Sequence, residues 1–164
     1  MPVTERLVVL DRLPSGYDYA IEFRHPSWET EGPWNMLKHY NIAAVMIDSP
    51  VEDKLGFMSD VTVTTNHSFI RFHGRDSKHR YNYLYSKEEL EPWASKVKML
   101  QKETPVVRSY FNNHYGAKAV VNALQFKEIL GQKLTVEQEK ALAQAQNYIS
   151  QVSHGSKLDH YIKQ

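Results

Sequence analysis

The chain has 164 residues, 41% hydrophobic and 24% charged, with a net charge of +1, the profile of one globular domain large enough to bury a core. So small a charge excludes bulk attraction to nucleic acid or an anionic membrane and leaves only local basic patches. With no cysteine, disulfides and thiolate metal sites are excluded as well. No apolar run approaches the ~20 residues of a membrane span, and Met1-Pro2-Val3-Thr4-Glu5-Arg6 lacks the basic-then-apolar form of a signal peptide. A cytoplasmic protein with no membrane partner is expected.

Taken in order, Leu7, Leu10 and Leu13 recur at helical spacing over Val3 to Leu13, with Thr4 as N-cap. Leu7 to Leu10 also fits a strand; helix is favoured because Pro14-Ser15-Gly16 follows as a stop. Tyr17 to Arg24 then reads as a strand with Ile21 and Phe23 on one face and Glu22 and Arg24 on the other. His25-Pro26-Ser27-Trp28 breaks it. Pro33 suits a first helical position, with Trp34, Leu37 and Tyr40 as the apolar stripe. Ile42 to Ile47 is an unbroken apolar run, the mark of a strand covered on both faces, ended by Asp48-Ser49-Pro50. Val51 to His67 lacks helical periodicity and reads as a long loop, either a lid or a surface excursion.

Ser68 to Arg75 is the clearest strand: Ile70 and Phe72 alternate with Arg71 and His73, and Gly74 turns the backbone away. A basic, tyrosine-rich loop runs from Arg75 to Tyr85, and Ser86 to Glu89 forms a capping box for the next helix, in which Pro92 predicts a kink or a fresh start. Pro105 to Asn113 is a fourth strand, and Gly116 to Leu130 a helix stopped by Gly131. Thr135 to Gln138 caps a last helix reaching Val152, with a frayed tail from His154. The plan is α-(βα)4-α, an α/β fold with a parallel sheet.

In a parallel α/β protein the strand ends build the site. Glu22, Arg24, Asp48, Arg71, His73 and one of Asn112 or Asn113 are expected to converge on one rim. There His73, Glu22 and Asp48 are candidates for acid–base work. Arg24, Arg71, Arg75, His25, Asn112 and Asn113 are candidates for holding a phosphate or carboxylate. The competing reading makes Glu22, Arg24, Asp48 and Arg71 a salt-bridge network filling a barrel interior. His25, His73, Glu22 and Asp48 could ligate a divalent metal, but no metal-binding spacing singles them out. Nor is there a nucleotide fingerprint, so the cofactor stays unknown. The loop from Arg75 to Tyr85 could track a nucleic-acid or sugar-phosphate backbone, or be a solvated rim whose tyrosines pack inward. Trp28, Trp34 and Trp93 are read as packing residues.

Four motifs in this order, Glu22-Phe23-Arg24-His25-Pro26-Ser27-Trp28, Asp48-Ser49-Pro50, Arg71-Phe72-His73-Gly74-Arg75 and Tyr110-Phe111-Asn112-Asn113-His114, resemble the second half of the YecE-like family, known as domain of unknown function seventy-two. Tyr83-Leu84-Tyr85-Ser86 and Glu89-Leu90 fit as well. The resemblance implies a TIM-barrel-like fold with these as strands five to eight. It brings no settled activity; the family's barrel is similar to those of metal-dependent nucleases and sugar isomerases, an analogy of fold alone. The family's first four strands have no counterpart here. The chain is accordingly read as one domain over residues 1–164, a half barrel over 1–131 and a C-terminal helix and tail over 132–164.

Three functions follow as expectations: an enzyme acting on a phosphate- or carboxylate-bearing substrate at the rim, a nucleic-acid-binding or nuclease-like module using a divalent metal, or an inactive half barrel. Self-association to complete a barrel is expected, because both edges of a four-stranded sheet present unpaired backbone groups.

Overall fold

The four apolar runs become the strands of one parallel sheet. In the computed structural model, which describes residues 9–161 and side chains through residue 152, these are β1 (Ala20–Ile21), β2 (Ala43–Asp48), β3 (His67–Phe72) and β4 (Val106–Phe111), in the order β1-β2-β3-β4. Every neighbouring pair is parallel, so every connection must cross over. α1 (Glu31–His39) and α2 (Lys87–Leu100) make two of these crossovers, while α3 (Lys118–Ile129) and α4 (Val136–Tyr161) follow β4. The fold is mixed α/β with alternating strands and helices. Its plan departs from a helix after every strand once. Between β2 and β3 the chain makes only two short 3-10 turns, Val51–Asp53 and Gly56–Ser59. Leu55 and Met58 from this segment are buried against β2, so it covers the sheet without a long helix.

Local signals set most helix ends. Ser86 and Glu89 form the expected capping box at the start of α2, and Thr135 and Gln138 exchange the same two bonds at the start of α4. Gly131, at φ +80°, closes α3 with Gln132 N–H donating to Lys127 and Gly131 N–H to Glu128, a Schellman end. Three expectations shift. α1 starts at Glu31 after Thr30, placing Pro33 in its first turn but not first in line. α2 runs unbroken through Pro92; that proline forfeits one bond near the helix start, where the capping box holds the turn. α4 continues past Val152 to Tyr161. The helix expected over Val3 to Leu13 falls mostly outside the described residues; positions 9 and 10 are helical and the chain turns just after them.

The strand pleat sorts side chains between a helix-covered face and an open face. On the covered face Met46, Ile70 and Phe72 pack with Leu90, Trp93, Ala94, Val97 and Leu100 of α2 and Phe126 of α3. Phe72 is fully buried, its ring 4.3 Å from that of Phe111 and 5.4 Å from those of Trp93 and Phe126. The second cluster joins Phe23, Leu37, Ile42 and Ala44 with Leu55 and Met58. The parallel register then aligns Val45 with Phe69 and Arg108, and Ile47 with Arg71 and Tyr110, on the open face. Phe69 and Tyr110 stack there, and Tyr110 is half exposed. Among the described residues no helix is long and apolar enough to cross a membrane.

Candidate functional site

Just beyond the C-terminal end of β1, Glu22 gathers the basic residues of the rim. Its Oε1 accepts from Arg24 Nε at 2.7 Å and from His73 Nε2 at 3.1 Å, and its Oε2 accepts from Arg71 Nη1 at 2.7 Å. The expected alternation of β1 and β3 produces this arrangement: Glu22, Arg71 and His73 fall on the open face, while Phe23, Ile70 and Phe72 are buried on the other. His73 Nδ1 accepts from the Asn112 amide at 3.2 Å. With Nε2 facing a carboxylate and Nδ1 facing an amide donor, the network assigns the Nε2–H tautomer. The side chains of Glu22 and His73 are less than a tenth exposed, whereas that of Arg24 is 62% and that of Arg71 32% exposed. The carboxylate is therefore buried beneath guanidinium groups that reach solvent.

Burial by itself would raise the Glu22 carboxyl. The hydrogen bond from His73 and the electrostatic pull of His73, Arg71 and Arg24 together outweigh it and hold the group at about 2. Glu22 is thus a fixed anion at neutral pH. It orients its neighbours and is poorly suited to carry a proton itself.

Glu22, Arg24 and His73 line one wall of a cleft of about 200 Å³ whose remaining lining is Ile47, Leu55, Asp53, Arg80 and Tyr81. Asp53 and Arg80 form a two-pronged ion pair, both contacts at 3.0 Å. Spacing did not single out Asp53, Arg80 or Tyr81 as a group, because they come from two loops far apart in sequence. The one signal was the basic-aromatic character of the Arg75 to Tyr85 loop.

The structure does not bring Asp48 to this cleft. Asp48 shares the pleat of Met46 and pairs in register with Phe72, so it faces the helices. There Oδ1 accepts from Tyr85 Oη at 2.9 Å and Oδ2 from Trp93 Nε1 at 2.7 Å, while Arg75 clamps both oxygens through Nε and Nη2. Arg75 is drawn away with it. Ala44 and Met46 lie on the covered face by the same pleat. Tyr85 Oη accepts in turn from Gly74 N–H at 2.7 Å, tying this cluster to the turn that follows β3. Gly74 sits at φ +84°, and a Cβ there would lie 2.0 Å from the Arg80 carbonyl oxygen, so only glycine fits. Trp93, read as a packing residue, is also a donor to a buried carboxylate.

Of the two asparagines, Asn112 faces the rim and Asn113 does not: Asn113 is fully buried and donates to Tyr83 O and Asn122 Oδ1. His25 caps the short Pro26–Trp28 turn, its Nδ1 accepting from Ser27 N–H at 3.2 Å, away from the cleft. Among the described residues no group of three His, Asp or Glu side chains is arranged to hold a metal ion.

The family model described as "Protein of unknown function DUF72" matches residues 2–147, which carries the likeness past the strand motifs and into α4. A DUF72 family protein from Thermotoga maritima is 36% identical, with a TM-score of 0.68, over 76% of this chain and 49% of its own. Two structures of a DUF72 family protein from Enterococcus faecalis match at 24% and 28% identity with TM-scores of 0.68 and 0.64, covering 82% and 80% of this chain and 56% and 54% of theirs. The chain spans about half the length of these solved structures. No curated protein matches it. With its strand-end motifs, its parallel sheet and this match over most of its length, the chain belongs to the DUF72 family of proteins of unknown function.

Proposed function

We propose that the strand-end cleft binds a small phosphate- or carboxylate-bearing molecule and that the protein is an enzyme acting on it. The observation that carries this reading is one buried carboxylate holding two guanidinium groups at a solvent-facing rim. Among the described residues Arg24 uses only Nε and Arg71 only Nη1 in hydrogen bonds, leaving N–H donors for an anion on Arg24 in the cleft and on Arg71 in the adjoining opening of the open face, on the other side of Glu22. His73 is the proton carrier of this reading. Its Nε2–H is steadied by Glu22, and a ligand that takes the place of Asn112 at Nδ1 meets a basic nitrogen already oriented. A metal-dependent nuclease is less well supported, since it needs a ligand cluster that the described residues do not form.

Replacing Arg71 with alanine is expected to weaken binding of inorganic phosphate or a sugar phosphate by at least about tenfold, the scale of one charge-assisted contact. Because Arg71 is a third exposed and lies outside the apolar clusters, stability should change by only about 1 kcal/mol. Calorimetric titration paired with denaturant melts reads both quantities. Unchanged affinity in the variant would return Arg71 to a purely structural ion pair.

The assembly belongs to the same proposal. Four βα units are half of an eight-stranded barrel, and the open face carries features suited to being covered. Tyr110 is 49% and Val106 40% exposed there, and Arg108 Nη1 is buried with no hydrogen-bond partner among the described residues. Two copies supply eight strands, a number that closes with its interior filled by side chains. The expected result is a dimer by light scattering at micromolar concentration, with β1 of one copy beside β4 of the other. A monomer whose β1 and β4 amides resist hydrogen exchange would overturn this arrangement.

A further inference from the structure

The rim cleft adjoins a second, larger opening. Arg80 and Tyr81 line both, and beyond them a groove of about 530 Å³ is bounded by Lys78, His79, Asn82 and Tyr115. At the junction Arg80 is held by Asp53 through both Nη atoms, so its plane is fixed. Tyr81 is 50% exposed, with the His114 ring against it at 5.3 Å and 30°, and Tyr115 is 64% exposed. The backbone around Tyr115 is unusual: Gly116 and Ala117 both take left-handed φ values, +62° and +63°. For Ala117 this conformation costs energy and so needs support from its surroundings. It sets Tyr115 at the groove on a short turn. Asn82 spends its carbonyl oxygens on Lys118, which leaves its amide N–H donors for a ligand among the described residues.

These parts differ in chemistry from the rim. The rim offers guanidinium groups around a buried carboxylate and suits a compact anion. The groove offers two exposed aromatic rings, one amide and a cationic edge from Lys78 and Arg80. That set suits a flat polar ring, which stacks on tyrosine and takes an in-plane hydrogen bond from Asn82. Because Arg80 and Tyr81 belong to both openings, one molecule can span them. Resting on the anion-binding reading of the rim, we propose that cleft and groove form a single two-compartment site for a nucleoside phosphate, with the phosphate beside Arg24 and His73 in the cleft and the base beside Tyr81 and Tyr115.

The test titrates the full chain with inorganic phosphate, ribose 5-phosphate, the common nucleoside 5′-monophosphates and a short single-stranded oligonucleotide. At least one monophosphate is expected to bind about tenfold more tightly than ribose 5-phosphate, the gain of one stacked base. Tyr115→Ala, which alters the groove alone, should erase that gain while leaving ribose 5-phosphate within about twofold, and Tyr115→Phe should retain it. Equal affinity for ribose 5-phosphate and every monophosphate, or a gain that survives Tyr115→Ala, overturns the second compartment while the rim reading stands. No binding of phosphate or ribose 5-phosphate removes both. The oligonucleotide separates the sources of the same chemistry. Parity with the monophosphate assigns a free nucleotide, and much tighter binding with a steep salt dependence assigns a strand.

Discussion

Asp48→Ala is expected to destabilise the protein by roughly 3 to 5 kcal/mol, enough to consume much of the stability of a small domain. The carboxylate is 6% exposed and accepts from three side chains at once: Arg75, Tyr85 and Trp93. Alanine would strand a buried hydroxyl and an indole N–H, each with its own desolvation cost, and would leave Arg75, 37% exposed, with Glu89 as its remaining carboxylate partner. Burial and the neighbouring Asp48 charge push the Tyr85 hydroxyl above its ordinary range, so it is a donor at neutral pH. Asp48→Asn should cost less, because an amide keeps one acceptor oxygen but loses the charge that clamps Arg75. Denaturant melts of the two variants beside the parent give the comparison. An Asp48→Ala variant within 1 kcal/mol of the parent would mean that the cluster relaxes and that Asp48 is not the pin between β2, the Gly74 turn and α2.

That Asp48 belongs to this pin was hidden in the sequence for a physical reason. β3 shows its two faces because one is apolar and the other charged, so Arg71 and His73 could be placed from alternation alone. β2 is buried on both faces along its whole length, and an unbroken apolar run has no phase to read. Asp48 could then be assigned to either side, and its position at a strand end favoured the rim. The side depended on register with Phe72 and on α2 supplying Trp93, both of which are tertiary facts. The same limit applies to Asp53 and Arg80. They lie 27 positions apart in loops, and no local rule pairs them. Capping boxes and the Gly131 stop were legible because each is decided within six residues. The absence of a helix between β2 and β3 was also legible, in the missing periodicity of Val51 to His67. Its burial through Leu55 and Met58 was not.

Glu22 should make the protein's stability fall in acid over a defined window. Its carboxyl is held at about 2 in the folded protein against an ordinary value of 4.5. A carboxyl depressed on folding stabilises the native state at pH values above the unfolded value, and that contribution is lost as pH falls through the folded value. The stabilisation is therefore complete near neutrality, begins to fade below 4.5 and is gone below about 2. The displacement corresponds to roughly 3 kcal/mol, as for a carboxylate buried among hydrogen-bonded cations. Other carboxylates also titrate in this range, so the comparison must be with Glu22→Gln, which preserves shape and removes only this ionisation. The variant is expected to be less stable near neutrality and to have a shallower loss in acid, the two curves converging toward pH 2, where the parent carboxyl too becomes neutral. The convergence separates a charge effect from a packing effect, because a cavity or a lost van der Waals contact would displace the curve equally at every pH. Urea melts at half-unit pH steps would resolve the difference. Parallel curves across the window would show that Arg24, Arg71 and His73 do not depend on the Glu22 charge, and the rim would lose the element that holds its guanidinium groups in place.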